Sequence, residues 1–396
     1  MTARRENALD HVLRDIVPGA IRLRRELHKI PEIAWQEKKT STMLRSWLRA
    51  RSVSSRAVAG TGVLARVASG KGKTVAIRSD LDGLPVQEQT GLPFKSVHAG
   101  RMHACGHDVH MAVVAGSAAV LQQMRSSFRG LIKVIFQPAE EEPPGGAQEL
   151  IRAGVMRNPK VDMVFGLHVN SGIAAGKIGV RNGPLMAGVI DFDVDISGRG
   201  GHVALPHLTD DVLACGATTV TALQAIVPRG VDPLEPTVVS VGKMESGTAR
   251  NVLPPACKLY GTARALNEVT LKKLRDSIKV VTKSVAAEFG CSAKLTFFDG
   301  YPPLINDEEA VAYLAGAARK ALGSRSVTTI RNPFMGGEDF ARYLEHAPGA
   351  MFHLGVRNRK IGAIYGWHNP KFVADENAIE VGIRTLVNAA VDFLND

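Results

Sequence analysis

Three stretches of this chain are apolar at nearly every position instead of every second one: Thr74 to Ile77, Leu131 to Phe136 and Val161 to Val169. A strand of that kind is buried on both faces, so it belongs inside a sheet covered by helices on either side. Between the stretches lie segments suited to helices, the apolar run Met111 to Met124 and a glycine-started one from Gly145 to Ile151. Strand alternating with helix predicts an α/β architecture: a mixed, mostly parallel sheet with helices on both faces.

Ahead of these stretches the apolar spacing is helical from Leu9 through Ile16. Pro18-Gly19 is expected to interrupt it before a second run ending near His28. A further helix carries Met43, Leu44, Trp47 and Leu48. Past Gly183-Pro184 the character changes. Residues 190–196 read Ile-Asp-Phe-Asp-Val-Asp-Ile, a strict period of two that places carboxylates on one wet face of a second sheet. Strands Thr237 to Lys243, Lys258 to Arg264 and Ala293 to Phe298 and helical spans Asp210 to Val227 and Glu268 to Phe289 fit a two-layer α+β unit. The expected organisation is a discontinuous larger domain, 1–185 and 301–396, with an inserted domain at 186–300.

Composition narrows the function classes. No apolar run approaches the ~18 residues of a membrane span, so a membrane role is not expected. Cys105, Cys215, Cys257 and Cys291 lack the spacing of a disulfide framework, which points to a reducing, cytoplasmic setting with the last three as buried free thiols. The formal charge of +11 could attract nucleic acid or small anions. The basic residues are dispersed, without a polybasic run or interleaved aromatics, so nucleic acid is not an expected partner.

Residue types that bind metals recur where the strands of the large sheet end, the edge at which open α/β sheets carry their sites. Asp80 and Asp82 follow the first strand; Glu140, Glu141 and Glu142 follow the second; His168 is expected to end the third. The segment His98 to His110, HAGRMHACGHDVH, adds Cys105 and His107, and Gly366-Trp367-His368-Asn369-Pro370 adds His368. A histidine-rich loop or an acidic run is often only a solvated surface. Together, Cys105, His107, one glutamate, His168 and His368 give a mixed sulfur, nitrogen and oxygen set, enough for two divalent ions. A second glutamate beside a ligating one suits a general base.

The motifs RRELHKIPE (24–32), RSDLDGLP (78–85), MHACGHDVH (102–110), FQPAEE (136–141), GLHV (166–169), GGHVALPH (200–207), NVLP (251–254), GTAR (261–264) and GGEDF (336–340) span nearly the whole chain. Together they resemble the aminoacylase, hippurate hydrolase and auxin-conjugate amidohydrolase branch of the dinuclear metallopeptidases. The resemblance implies a phosphorylase/hydrolase-like catalytic domain, an inserted dimerisation or lid domain, and a homodimer or dimer-based oligomer. It assigns Cys105, His107, Glu141, His168 and His368 to two divalent ions, zinc or manganese, and Glu140 to the general base. His103 and His110 match no liganding position, and Asp82 resembles an aspartate that orients the ligands. His202 resembles a histidine that reaches a partner's active site; Asn251 and Arg264 resemble residues that meet the substrate's carboxylate. The implied activity is hydrolysis of the amide bond of an N-acyl amino acid or related conjugate, the alternative being a carboxypeptidase or dipeptidase acting on peptides. A third reading, from charge alone, is an anion- or nucleic-acid-binding protein with a structural metal site. One departure stands out: Glu142-Pro143-Pro144 intervenes before Gly145-Gly146, stiffening the loop beside the site.

Overall fold

The computed structural model describes residues 3–396. Contacts divide the chain into two compact units, one comprising 1–183, 305–332 and 339–396, the other 184–304 with 333–338.

The first unit is built on an eight-stranded sheet. Its strands are β1 (Ser54–Val58), β2 (Gly62–Ser69), β3 (Thr74–Asp80), β4 (Gly130–Gln137), β5 (Met163–Ala174), β6 (Ile178–Val180), β7 (Val327–Thr329) and β8 (Gly349–Arg357), in the spatial order β1-β2-β4-β3-β5-β8-β6-β7. The four central strands β4, β3, β5 and β8 are parallel, while β1 and β2 close one edge antiparallel and β6 runs against β8. β3 is buried at every position, as consecutive apolar residues require. Helices α1 (Ala3–His28), α2 (Lys38–Arg49), α3 (His107–Gln123), α4 (Glu308–Leu322) and α5 (Ala378–Asn395) flank the sheet. No helix among the described residues is long and apolar enough to cross a membrane.

Two local expectations are corrected here. Pro18 lies inside a continuous helix instead of ending it. Leu9, Leu13, Ile16, Ala20, Leu23 and Leu27 form one unbroken buried stripe along α1, and packing of that stripe outweighs the backbone bond that proline removes. Strand β5 does not stop at His168 but runs on to Ala174, because β8 pairs with it from Val164 to Ala174, with His353 directly opposite His168.

Helix α3 is buried from His107 to Leu121, so it needs no polar face. Its first turn is fixed by a buried ion pair: Arg24 Nε donates to Asp108 Oδ2 at 2.6 Å, and His28 Nδ1 lies 2.8 Å from the same oxygen. Despite burial, Arg24 and His28 hold the Asp108 carboxyl well below the usual carboxylate range. Midway along α3, Gly116 faces α5, where an added Cβ would lie 2.5 Å from Ile383 Cδ1.

In the second unit, strands Thr237–Ser246, Ala256–Ala265, Gly188–Ser197 and Ser292–Asp299 form an antiparallel sheet in that spatial order. Val212–Leu223 and Glu268–Glu288 are its main helices, sharing with the sheet a core that includes Phe192, Val194, Leu259, Leu274 and Ile278. The helical span read as Asp210 to Val227 is two pieces, with a second short helix at Ile226–Gly230. Residues 333–338 cluster with this unit because Phe334 N donates to Leu185 O and Ala187 N to Phe334 O. All four cysteines are free, and Cys291 is half-buried where full burial was expected.

Gly116→Val should force α3 away from α5. An overpacked core costs about 1–3 kcal/mol, so thermal unfolding should show a midpoint lowered by several degrees with the far-UV spectrum retained.

Candidate metal centre

The first unit gathers its ligand-type side chains from four separate segments. Cys105 and His107 flank Gly106, which has φ 85° and starts α3. A side chain there would also meet Val169 Cγ2 at 2.5 Å, so only glycine lets the loop turn and pack against β5. Cys105 Sγ lies 3.3 Å from His168 Nε2, while His168 Nδ1 is 2.9 Å from the carbonyl of Val169. His168 therefore directs an unprotonated Nε2 at the thiol, and its burial, with His110 nearby, keeps it neutral by lowering its pKa well below the usual value.

Glu141 and His368 complete the group. His368 sits at φ 62°, its backbone N–H held by Ala104 O at 2.9 Å, with Nε2 3.3 Å from Glu141 Oε1. Asp82 orients two members at once: its carbonyl accepts from His107 Nδ1 at 2.9 Å, and its carboxylate accepts from Glu141 N at 3.0 Å. Ligand-type atoms of Cys105, His107 and His168 lie within 4.8 Å of one another, as do those of Cys105, Glu141 and His368, and those of His107, Glu140 and Glu141. The thiol is common to the first two triads, an arrangement suited to two neighbouring ions.

The chemistry of this cluster calls for cations. His107 Nε2 is buried with no hydrogen-bond partner, facing Asp80 Oδ2 at 3.7 Å and Glu141 Oε1 at 3.8 Å. Burial would lower the His107 pKa, but the carboxylates of Asp80, Asp82 and Glu141 raise it to about 10. Burial, then the carboxylates of Glu141, Glu140 and Asp80, pushes the Cys105 thiol well above its ordinary value. A buried thiolate among carboxylates would need compensating positive charge, and a divalent ion supplies it while deprotonating a coordinating thiol. The donor set fits such ions.

His110 is excluded by its own bonds: Nε2 accepts from Val169 N at 2.9 Å and Nδ1 lies 2.7 Å from Asp80 Oδ1, so both nitrogens are engaged. Glu142, Pro143 and Pro144 are exposed, in a turn closed by Gly145 N donating to Glu142 O at 3.0 Å. In the second unit, His202 is exposed and pairs with Val252 across a two-residue ladder, with Val203 N donating to Asn251 O. His202 and Asn251 are thus neighbours. Arg264, half-buried at the far end of strand Ala256–Ala265, donates from Nη1 to Met335 O at 3.0 Å.

Several supporting residues were not singled out from sequence. Buried Arg78 donates to Gln137 Oε1, Asp80 Oδ2 and Asp339 Oδ1 at 2.7–2.9 Å, bracing the ends of β3 and β4. Buried Glu37 accepts from Thr61 Oγ1 at 2.7 Å and from the N–H of Ala139, whose φ is 53°, at 2.9 Å. Trp367 donates from Nε1 to Val169 O at 2.7 Å and packs edge-on to His168. Arg78, Gln137 and Asp339 do fall within the recognised motifs, so charge at a strand end was the available signal.

This geometry agrees with what the chain resembles. Residues 76–392 match peptidase family M20/M25/M40. Thermostable carboxypeptidase 1 of Saccharolobus solfataricus is 38% identical over 98% of both chains. An N-acetyl-L-cysteine deacetylase of Bacillus subtilis is 38% identical over 91% of this chain and 84% of its own. Among solved structures, Bacillus subtilis YXEP, described as a dinuclear metal binding peptidase from the M20 family, superposes with a TM-score of 0.83 at 34% identity, covering 96% of this chain and 99% of its own. The chain belongs to peptidase family M20/M25/M40. It is a hydrolase that uses divalent metal.

Cys105→Ala and His168→Ala should each lower divalent metal bound after dialysis by about tenfold or more, measured by elemental analysis. Circular dichroism should remain native.

Proposed function

We propose that the chain hydrolyses the amide bond of N-acyl amino acids or similar conjugates bearing a free carboxylate. The observation that carries this reading is Glu140, a buried carboxylate within 4.8 Å of the His107 and Glu141 donor atoms. Cys105, His107, Glu141, His168 and His368 would hold two divalent ions, zinc or manganese, both suited to a mixed sulfur, nitrogen and oxygen set. Bound there, the ions would supply Lewis acidity to the scissile carbonyl.

The protein's own groups account for the rest. Glu140 takes a proton from the attacking water and returns it to the departing amine, the transfer that amide cleavage needs. Asp82 fixes His107 and Glu141, so the carboxylate pair is preorganised. In this reading the second unit is a dimerisation domain. His202 enters the site of a partner copy and steadies the oxyanion, while Asn251 and the planar guanidinium of Arg264 receive the substrate carboxylate. The acting form is a homodimer or a dimer-based oligomer. Free cysteines throughout the chain suit the cytoplasm.

The second reading, a carboxypeptidase or dipeptidase, is favoured by the resemblance to the Saccharolobus enzyme. A panel of N-acetyl and N-benzoyl amino acids against dipeptides separates the two. The first predicts higher kcat/KM on the acyl amino acids, and a reversed order favours the second. Chelator should abolish either activity, and added Zn²⁺ or Mn²⁺ should restore it.

Glu140→Gln should retain metal and lower kcat by about 10²–10⁴-fold; turnover near wild type would sink the assignment of the base. Dimers mixed from His202→Ala and Glu140→Gln chains should regain activity if the histidine acts across the dimer. Mixed dimers as inactive as the parents would count against it.

A further inference from the structure

Between β8 and α5 the chain makes a long excursion, residues 358–377, that carries Trp367 and His368. Its two ends come back together. Arg357, Asn358, Arg359 and Lys360 at one end, and Asp375 and Asn377 at the other, line a cleft of about 610 Å³ whose third wall is the turn at 174–176. None of the ligand-type residues of the metal centre lines it.

The charge in this cleft is one-sided. Arg357, Arg359 and Lys360 are exposed, and among the described residues none is ion-paired with a carboxylate. Other arginines of this unit behave differently: Arg25 pairs with Glu376, Arg5 with Asp392 and Arg384 with Asp10. The lining's one carboxylate, Asp375, is buried and already accepts from Asn358 Nδ2 at 2.7 Å and Asn377 N at 3.0 Å. Three cations within four residues therefore line the cleft against a single carboxylate, Asp375, which is ion-paired with none of them. Its volume suits a small molecule instead of a single ion, and two guanidinium groups match phosphate, sulfonate or carboxylate oxygens through paired hydrogen bonds.

We infer that this cleft binds a small polyanion, a molecule with two or more such acidic groups, and that its occupancy fastens together the two ends of segment 358–377. The inference does not depend on the hydrolytic reading, since neither Glu140 nor any residue assigned to the metal lines the cleft.

The test uses the full chain and the fluorescent trisulfonate pyranine, a poor chelator. Saturable binding is expected, weakened about tenfold or more in Arg359→Glu/Lys360→Glu. The control Lys272→Glu/Lys273→Glu, on exposed positions of helix Glu268–Glu288, changes net charge equally and should bind as wild type does. Bound pyranine should slow amide hydrogen exchange within 358–377. Displacement by a sugar bisphosphate or by a tricarboxylate tells which acid chemistry the cleft favours. Absence of saturable binding, or equal weakening in both double variants, would overturn the site; unchanged exchange in 358–377 would overturn the fastening.

Discussion

The metal centre hangs on Asp82. Its backbone carbonyl fixes the tautomer of His107, and its carboxylate holds the N–H of Glu141. One residue at the end of β3 thereby aims a nitrogen from the start of α3 and an oxygen from the loop after β4 at a common volume. Behind Asp82, Arg78 joins the ends of β3 and β4 to Asp339 through a buried guanidinium. The parallel arrangement of β4, β3 and β5 puts these loops on one edge, so the centre follows from the sheet's topology and its buried braces.

Burying carboxylates, imidazoles and a thiol together is costly unless charge is compensated. The structure meets that demand in two ways. Around the centre, Arg78 serves Asp80 and Asp339, while Arg24 serves Asp108. At the centre itself the carboxylates keep a proton on His107, and burial together with those carboxylates holds the Cys105 thiol protonated. Those two protons occupy the positions that cations would take, and metal loading should exchange one for the other.

Much of this was legible in the sequence because it depends on local pattern. Consecutive apolar residues in β3 marked a strand buried on both faces, and the aspartates at 191, 193 and 195 marked the second sheet's wet face. The HACGHD and QPAEE motifs brought out Cys105, His107, Glu140 and Glu141. What escaped depends on distant partners. Pro18 looked like a break because spacing does not reveal that α1 has a continuous apolar bed. His168 looked like a strand end because β8 pairs with β5 from nearly two hundred residues away. Glu37 resembles any helix-start glutamate until its carboxylate is seen to hold Ala139 in a left-handed turn.

Cys105, His107, Glu141, His168 and His368 are the residues proposed to hold two divalent ions. X-ray absorption at the metal edge of zinc-loaded protein tests that assignment most directly. The account predicts a sulfur scatterer at about 2.3 Å beside nitrogen and oxygen at about 2.0–2.2 Å, with a metal–metal vector, and loss of the sulfur shell in Cys105→Ala. A shell of light atoms alone in the wild type, or sulfur that persists without Cys105, would contradict it.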